Sequence, residues 1–332
     1  MKVCVIFGGM STEHEVSIMS AKNVIDNLDK NKYKIYPTFI DKNGIWMHDN
    51  KKIKDVEGFL KEMDIVFPVL HGKYGEDGTL QGMLEMLKIP YVGCKVLSSS
   101  LCMDKVFAKY MFEKANINQA KYIYLKDENI YVNEELEETR LENDEIVKLV
   151  EEKLKFPVFV KPANSGSSVG VKKAKNGPEL IIAIQNASIY DRKVLIEEEI
   201  VGKEVECAVL GNNNPKASTV GEIMAADTFY TYDAKYNNEE SKTRIPASID
   251  DEKINEIRRM AVKAFKALDC SGLARVDFFV QKDTNKIYLN EINTMPGFTK
   301  ISMYPKLWEY SGLSYKDLLD KLIEYALENS KS

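Results

Sequence analysis

The sequence predicts a mixed α/β (α+β) protein that begins with a parallel sheet. Over the first hundred residues, short apolar segments alternate with amphipathic segments. Two strand-like segments, residues 272–280 and 286–293, flank a short polar linker near the C-terminus. The chain has 332 residues, which is long for a single hydrophobic core, so we expect two or three domains.

The N-terminal region follows a strand–helix order that is typical of a parallel sheet covered on both faces. The predicted strands are residues 2–7, 34–40, 64–70 and 90–92, and the predicted helices are residues 13–28 and 79–87. Ligands of such sheets bind at the carboxyl ends of the strands. The polar segments at residues 8–15 and 71–78 follow two of these ends.

The rest of the chain reads as alternating elements without internal repeats. The expected helices are residues 103–115, 178–187 and 250–268, followed by two short helices at the end of the chain. The expected strands are residues 156–162, a short strand through 171, 194–200, 203–210 and 217–224. Residues 225–247 are polar, aromatic and irregular, and a loop of that length is usually functional.

Composition excludes several classes of protein. The formal net charge of −5 argues against binding to nucleic acid, and no window approaches a transmembrane span. The five cysteines, at positions 4, 94, 102, 207 and 270, are scattered. This pattern indicates a reducing cytoplasm rather than a disulfide framework or a zinc site. The N-terminus has no signal-peptide cleavage region.

The two C-terminal strand-like segments are expected to form a hairpin that carries polar side chains on one face. Alternation places Arg275, Asp277 and Phe279 on one face of the first strand, and Leu289, Glu291 and Asn293 on one face of the second. If Asp277 lies opposite Glu291, then Arg275 lies opposite Asn293. That register requires a loop with an odd residue count, or a bulge; a two-residue turn at 284–285 would place Ile292 opposite Asp277.

Two carboxylates and an amide oxygen suit Mg²⁺ that is bound to a polyphosphate, and an adjacent arginine can stabilise developing negative charge. The alternative is a solvated strand face with a chance salt bridge. The apolar neighbours of the hairpin indicate partial burial, where unpaired charge is costly, and therefore favour a bound cation.

Other polar segments leave two interpretations open. Residues 164–168 (NSGSS) could present backbone N–H groups to an anion, or form only a β-turn. Lys161 and Lys105 could neutralise phosphate, or be exposed lysines. The acidic run at 197–199 could hold a purine and its ribose along a strand edge, or be a charged edge that resists aggregation.

Three further features are equally ambiguous from the residues alone. Glu15 belongs to the first turn of a helix, where acids are common for dipole reasons. His71 can be a neutral, hydrogen-bonded histidine. The aromatic residues and lysine at 229–236 could form a lid over a substrate or a packed surface loop.

In order along the chain, the motifs GGMSTEHEVS, HGKYGEDGTLQG, FVKPANSGSSVGV, YDAKY, ARVDFF and NEINTMPGFT closely resemble those of the D-alanine–D-alanine ligases of the ATP-grasp superfamily. The resemblance covers roughly residues 3–319, and residues 129–152 look like a variable insertion. It implies a preATP-grasp domain at 1–101 and two ATP-grasp subdomains, 102–196 and 197–332, with a substrate lid at 225–247.

The resemblance also implies an activity and its ligands. Members join two D-alanines with ATP through a D-alanyl phosphate, release ADP and phosphate, and supply peptidoglycan precursors in the cytoplasm. The implied ions are two Mg²⁺ or Mn²⁺, with K⁺ as a candidate monovalent cation. The implied partners are D-alanine and ATP, without nucleic acid or membrane, in a homodimer.

Individual roles follow only from this resemblance. The implied metal ligands are Asp277, Glu291 and Asn293. The implied nucleotide contacts are Glu197, Glu198 and Ile200 for adenine, Glu204 for ribose, Lys105, Lys161 and Lys235 for phosphates, and Ser165 to Ser168 as a flap. The implied substrate and catalytic residues are Glu15 and His71 at the first D-alanine, Ser167 and Tyr236 closing the lid, Arg275 and the Gly297 N–H as oxyanion donors, and Ser302 and Met303 at the second D-alanine.

Three alternatives remain. A relative that makes D-Ala–D-lactate or D-Ala–D-Ser is the nearest; the lactate ligases lack the tyrosine that matches Tyr236, so an amine is favoured as second substrate. A biotin-dependent ATP-grasp carboxylase is a second, and nothing at residues 8–15 suggests it. A nucleotide- or amino-acid-binding module is a third, but a pure binder does not need Arg275 beside two metal carboxylates.

Overall fold

The computed structural model describes residues 1–224 and 242–331, which contain three sheets and ten helices. Within these two ranges, no helix combines the length and the apolar character that a membrane crossing requires. The predicted lid, residues 225–247, falls largely outside the described residues, and so do Lys235 and Tyr236.

The N-terminal sheet is parallel at its centre, as predicted. Its strands are β1 (Lys2–Gly8), β2 (Lys34–Ile40), β3 (Trp46–His48), β4 (Lys51–Lys52) and β5 (Ile65–Pro68), in the order β4-β3-β2-β1-β5. Strand β1 runs parallel to β2 and β5, whereas β3 and β4 add an antiparallel edge that was not predicted. The expected strand at 90–92 is only an isolated bridge between Val66 and Tyr91. The accompanying helices are α1 (His14–Asn27), α2 (Val56–Lys61), α3 (Thr79–Met86) and α4 (Val96–Met103).

The second sheet is antiparallel and spans the middle of the chain. Its strands are β6 (Tyr122–Lys126), β7 (Ile130–Val132), β8 (Glu138–Arg140), β9 (Val158–Pro162), β10 (Lys172–Ala174) and β11 (Lys193–Glu198), in the order β10-β9-β11-β6-β7-β8. The helices of this region are α5 (Lys105–Lys114), α6 (Asn143–Lys153) and α7 (Gly177–Ser188). Asp104 starts α5 because its carboxylate accepts the N–H groups of Val106 and Phe107. Strands β6–β8 were not predicted.

The third sheet carries the predicted hairpin. Its strands are β12 (Gly202–Gly211), β13 (Lys216–Met224), β14 (Lys242–Arg244), β15 (Gly272–Gln281) and β16 (Ile287–Asn293), in the order β14-β13-β12-β15-β16. The remaining helices are α8 (Asp251–Ala267), α9 (Met303–Tyr310) and α10 (Tyr315–Asn329). The antiparallel pair of β15 and β16 confirms the hairpin.

Buried side chains join these parts into a continuous frame. Helices α9 and α10 pack between the first and third sheets, where Phe67, Leu210 and Leu307 belong to one hydrophobic cluster. Helix α5 contributes Phe112 to the cluster beneath the third sheet. Strand β11 also continues past residue 196. The three-domain division at 101/102 and 196/197 therefore remains a prediction.

We expect Leu307→Ala to destabilise the fold by about 2–5 kcal/mol, because it opens a cavity in the cluster that joins two sheets. Leu136→Ala is the matched control, since Leu136 is 63% exposed. The measurement is urea denaturation followed by circular dichroism. Equal losses of stability in the two variants would contradict the claim that the cluster around Leu307 joins the two sheets.

Candidate functional site

The register of the hairpin brings four polar side chains together. Asp277 lies opposite Glu291, and Arg275 lies opposite Asn293. A β-bulge between Asp277 and Phe278 produces this register. The register was expected to need either an odd number of loop residues or a bulge, and the structure has the bulge. The predicted convergence of two carboxylates, an amide and a guanidinium is therefore present.

The bulge also corrects one expectation. Leu289 does not share the face of Glu291; it lies opposite Phe278, and both side chains belong to the hydrophobic core. Asn290 is the extra residue of the bulge, and it lines a cavity together with Glu291 and Arg275. A bulge reverses the alternation of side chains beyond it, which is why strict alternation misplaced Leu289.

Arg275 is held between two carboxylates. Its Nε donates to Asp277 Oδ1 and its Nη2 to Asp277 Oδ2, each at 2.7 Å. Its Nε also lies 3.2 Å from Glu206 Oε2, on the neighbouring strand β12. Asn293 Nδ2 donates to Asp277 Oδ2 at 3.1 Å. Such charge-assisted, bidentate contacts fix the plane of the guanidinium.

A buried carboxylate pairs with two lysines, and one of them, Lys161, lines the cavity. Glu197 pairs with Lys109 at 2.6 Å and with Lys161 at 2.5 Å. Burial opposes ionisation of Glu197, but the two lysines outweigh it and lower its pKa to about 2. Burial alone would lower the pKa of Lys161, but the charge of Glu197 reverses the effect and raises it. Lys161 also contacts Asn290 Oδ1 at 3.4 Å.

The serine-rich loop, residues 164–168, also lines the cavity and is anchored at its first two residues. Lys105 Nζ donates to the carbonyl of Ser165 at 2.6 Å. Asn164 is anchored by the carboxylate of Asp191, at 2.7 Å from its backbone nitrogen. Ser167 and Ser168 have positive φ angles of 50° and 59°, a conformation that costs non-glycine residues energy and is found at functional loops.

Glu13, and not Glu15, is the acidic side chain in the cavity. Glu15 is 64% exposed at its side chain and pairs with Lys42, so its predicted place beside the first substrate is wrong. Glu13 is buried, lines the cavity and accepts a hydrogen bond from the hydroxyl of Ser167. It occupies the N-cap position of α1. The two-residue offset therefore turns the two carboxylates in different directions.

His71 lines the same cavity with both ring nitrogens engaged. Nδ1 lies 2.9 Å from the Met295 carbonyl, which can only accept, so Nδ1 carries the proton. Nε2 accepts from Ser20 Oγ at 3.1 Å. Burial lowers the pKa of His71, despite the opposing charge of Glu13. The ring is therefore neutral and holds the loop at residues 294–297 against α1.

Glu76 is a second, partly buried acid near Glu13. Its oxygens accept the backbone N–H groups of Gly72 at 2.7 Å and Met295 at 3.1 Å. Burial, reinforced by the negative charge of Glu13, raises the pKa of Glu76 to about 8. The side chain thus ties two loops together, and it is largely protonated at neutral pH.

The turn after β16 completes the cavity. Thr299 N donates to Ser302 Oγ at 3.0 Å, and the two hydroxyl oxygens lie 2.8 Å apart. A side chain at Gly297 would meet Ser302 Oγ at 2.7 Å, so only glycine leaves room for this hydroxyl. Met303 borders the same space.

One cavity therefore gathers most of the predicted residues that the structure describes. Those lining it are His71, Lys105, Lys161, Ser165, Ser167, Ser168, Glu204, Arg275, Glu291, Asn293, Gly297, Ser302 and Met303. Asp277 lies directly beneath, bonded to Arg275. Besides Asp277, the predicted residues in the described ranges that do not line it are Glu15, Glu197, Glu198 and Ile200. The Glu198 carboxylate instead accepts the Lys121 N–H at 2.8 Å.

Sequence reasoning missed several residues of the site. Glu13 and Glu76 stand inside the two polar segments that were singled out, so their place at strand ends was a usable signal. Glu206 alternates with Glu204 on one strand, and this spacing also marks a shared face. Lys109 carries no local signal, because its role depends on a strand from another part of the chain.

Comparison with known proteins finds D-alanine–D-alanine ligases that match nearly the whole chain. Family models described as D-ala D-ala ligase N-terminus and C-terminus match residues 2–58 and 48–94, and 111–324. A D-alanine–D-alanine ligase of Acetivibrio thermocellus is 49% identical, covering 98% of this chain and 96% of the relative.

Two solved structures are also similar. The VanG D-Ala:D-Ser ligase of Enterococcus faecalis has a TM-score of 0.84 and 40% identity, covering 98% of this chain and 99% of that one. A D-alanine–D-alanine ligase of Bacillus anthracis complexed with ATP has a TM-score of 0.80 and 34% identity, covering 100% and 99%.

The three sheets, the two lysines that line the cavity (Lys105 and Lys161) and the hairpin with its carboxylates and arginine are together typical of an ATP-grasp ligase. Within that class, the chain belongs to the D-alanine–D-alanine ligase family. The predicted fold class, enzyme class and resemblance are thereby confirmed.

We expect the Glu76 carboxyl to titrate near pH 8 in the free protein. The folded protein holds this proton more tightly than the unfolded chain does. The protonated Glu76 therefore contributes fully to the free energy of unfolding below pH 4.5, the ordinary pKa of a glutamate, and this contribution is lost as the pH rises through about 8. Carbon-13 NMR of labelled glutamate carboxyls, with Glu76→Ala for assignment, measures it. A Glu76 signal that titrates below about pH 6 would refute the burial argument.

Proposed function

We propose that this protein joins two D-alanine molecules with the consumption of ATP, through a D-alanyl phosphate, and releases ADP and phosphate. The observation that carries the proposal is a single cavity lined by Lys105 and Lys161, by Arg275 of the hairpin, and by Glu13 and Ser302. Membership of the D-alanine–D-alanine ligase family supports it. The dipeptide would serve as a peptidoglycan precursor.

ATP would occupy the part of the cavity that Lys105 and Lys161 line. Lys105 and Lys161 are charged donors suited to phosphate oxygens, and the loop from Ser165 to Ser168 would close over them. Adenine would lie along the end of β11, at Glu197, Glu198 and Ile200, with Glu204 on the ribose. The similar Bacillus anthracis ligase is complexed with ATP, which supports a nucleotide in this cavity. Lys235, outside the described residues, would add a phosphate contact.

Asp277, Glu291 and Asn293 fit a divalent cation held jointly with phosphate. They offer hard oxygen ligands, as Mg²⁺ and Mn²⁺ require. Among the described residues, no group of three or more His, Cys, Asp and Glu could hold a metal, so phosphate oxygens would complete the coordination. When bound, two such ions would neutralise phosphate charge. K⁺ is proposed only as an accessory cation.

The chain's own residues would then orient and stabilise two successive steps. Glu13 would pair with the ammonium of the first D-alanine, whose carboxylate oxygen bonds to the γ-phosphorus of ATP as the bond to ADP breaks. The amine of the second D-alanine then bonds to the acyl carbon, phosphate leaves, and the amine loses a proton. Arg275 and the Gly297 N–H would stabilise the developing oxyanion, by about 2–4 kcal/mol per donor.

Two side chains would prepare this site for the substrates. The hydrogen bond from Ser167 to Glu13 would keep the flap closed over the first D-alanine, with Tyr236, outside the described residues, as the remaining partner of the lid. Closure excludes water from the acyl phosphate. Ser302, beside Met303, would bind the carboxylate of the second D-alanine.

Ligation of D-alanine to D-serine is the second candidate, since the VanG D-Ala:D-Ser ligase is 40% identical over nearly the whole chain. Met303 and Ser302 border the space that would distinguish the two amino acids. We also propose that the protein is cytoplasmic and forms a homodimer. Both proposals rest on the family resemblance, and light scattering would measure the oligomeric state.

The decisive assay incubates the purified protein with Mg-ATP and D-alanine, D-serine, D-lactate or L-alanine, each alone and each in a mixture with D-alanine. We expect phosphate release and a D-alanyl-D-alanine product, because an amine attacks the acyl carbon more readily than a hydroxyl does. Phosphate is measured enzymatically and products by mass spectrometry. No phosphate release with D-alanine would overturn the proposal, and a dominant mixed product with D-serine would favour the second candidate.

Glu13→Gln should raise the KM for the first D-alanine about tenfold to a hundredfold, because a charge-assisted contact worth about 1.5–3 kcal/mol is lost. Glu15→Gln is the matched control, two residues away and exposed, and should stay within about twofold of the wild type. Initial-rate kinetics at saturating ATP separates the two D-alanine constants. A large increase in KM for Glu15→Gln with none for Glu13→Gln would show that Glu15, and not Glu13, contacts the substrate.

A further inference from the structure

The hydroxyl of Ser302 is turned away from the helix that it precedes. Ser302 occupies the N-cap position of α9, yet its side chain makes no capping hydrogen bond to that helix. A serine N-cap normally accepts the N–H of the second or third helical residue. The third residue of α9 is Pro305, which has no N–H. Local capping therefore competes weakly for this hydroxyl.

Thr299 holds the Ser302 hydroxyl instead. The Thr299 N–H donates to Ser302 Oγ at 3.0 Å, and Thr299 Oγ1 lies 2.8 Å from the same atom. In return, the Ser302 N–H donates to the Thr299 carbonyl at 3.1 Å. Thr299 is only 8% exposed, and both residues line the cavity. The contact is thus built into the wall of the site.

The direction of the hydroxyl–hydroxyl bond decides what Ser302 offers to a ligand. A hydroxyl has one donor hydrogen and two acceptor lone pairs. The Thr299 N–H takes one lone pair of Ser302. If the Thr299 hydroxyl takes the other, the hydrogen of Ser302 remains for a ligand oxygen. If the bond runs the other way, Ser302 presents only a lone pair, which repels an anion.

We infer that Thr299 is a positioning residue that makes Ser302 a hydrogen-bond donor to the carboxylate of the second D-alanine. The inference rests on the proposed function, and it adds a determinant of specificity for the second substrate. Thr299 and Ser302 together select an anionic second substrate over a neutral one of the same size. D-alaninamide, which replaces the carboxylate with an amide that has N–H donors, is the matched probe. It can use a lone pair on Ser302 that D-alanine cannot.

Thr299→Val removes the hydroxyl and keeps the shape of the side chain, whereas Thr299→Ser keeps the hydroxyl. Thr299→Val should raise the KM for the second D-alanine about tenfold, the equivalent of one hydrogen bond. The KM values for ATP and for the first D-alanine should not change. Thr299→Ser should remain within about twofold of the wild type. Thr38→Val controls for the loss of a buried threonine hydroxyl, since Thr38 lies in β2, outside the residues that line the cavity.

The product ratio from an equimolar mixture of D-alanine and D-alaninamide gives the second readout. Wild type should favour the dipeptide, and Thr299→Val should shift the ratio towards the dipeptide amide. In a Ser302→Ala background, Thr299→Val should cause no further change, because the two residues act through one hydrogen bond. Thr299→Ala is the substitute if the valine variant does not fold.

Three results would overturn the inference while leaving the proposed function intact: an unchanged product ratio in Thr299→Val, additive effects of the two substitutions, or a Ser302→Ala variant with an unchanged KM for the second D-alanine. Failure of the wild type to make any dipeptide would overturn the proposed function, and this inference with it.

Discussion

The bulge after Asp277 determines the geometry on which the site depends. Without it, the register that pairs Phe278 with Leu289 would continue and place Asn290 opposite Asp277. With it, two carboxylates face each other, and Asn290 reaches the cavity and Lys161. A single extra residue thus connects the hairpin to Lys161. Bulges next to active sites commonly re-aim side chains in this way.

The charged side chains around the cavity form two groups of three. Glu197 of the second sheet pairs with both Lys109 and Lys161, and Arg275 of the third sheet is shared by Asp277 and Glu206. Removing one partner from such a buried pair leaves an uncompensated charge, which is far more costly than the pair itself. Under the proposed function, incoming phosphate and metal would compete for groups that already have partners. The same contacts that stabilise the cavity would then orient its side chains for the ligands.

The loop between β5 and α3 brings the N-terminal sheet into the site through two side chains whose charged forms are disfavoured. His71 is a neutral donor to Met295, and Glu76 binds two backbone N–H groups with a raised pKa. Burial favours the uncharged form of both side chains. They can therefore hold the turn at residues 294–297 without adding charge beside Glu13, which leaves that carboxylate as the natural partner of an ammonium group.

The sequence alone determined the features that depend on neighbouring residues. The central parallel strands, the hairpin and the choice of Asp277, Glu291 and Arg275 all follow from local alternation and residue chemistry. The tertiary structure decided the features that depend on distant partners. It selected Glu13 over Glu15, placed Glu197 between two lysines, moved Leu289 into the core and turned Ser302 towards Thr299. Periodicity specifies which face of an element a side chain occupies, but register, bulges and packing between sheets decide what that face meets.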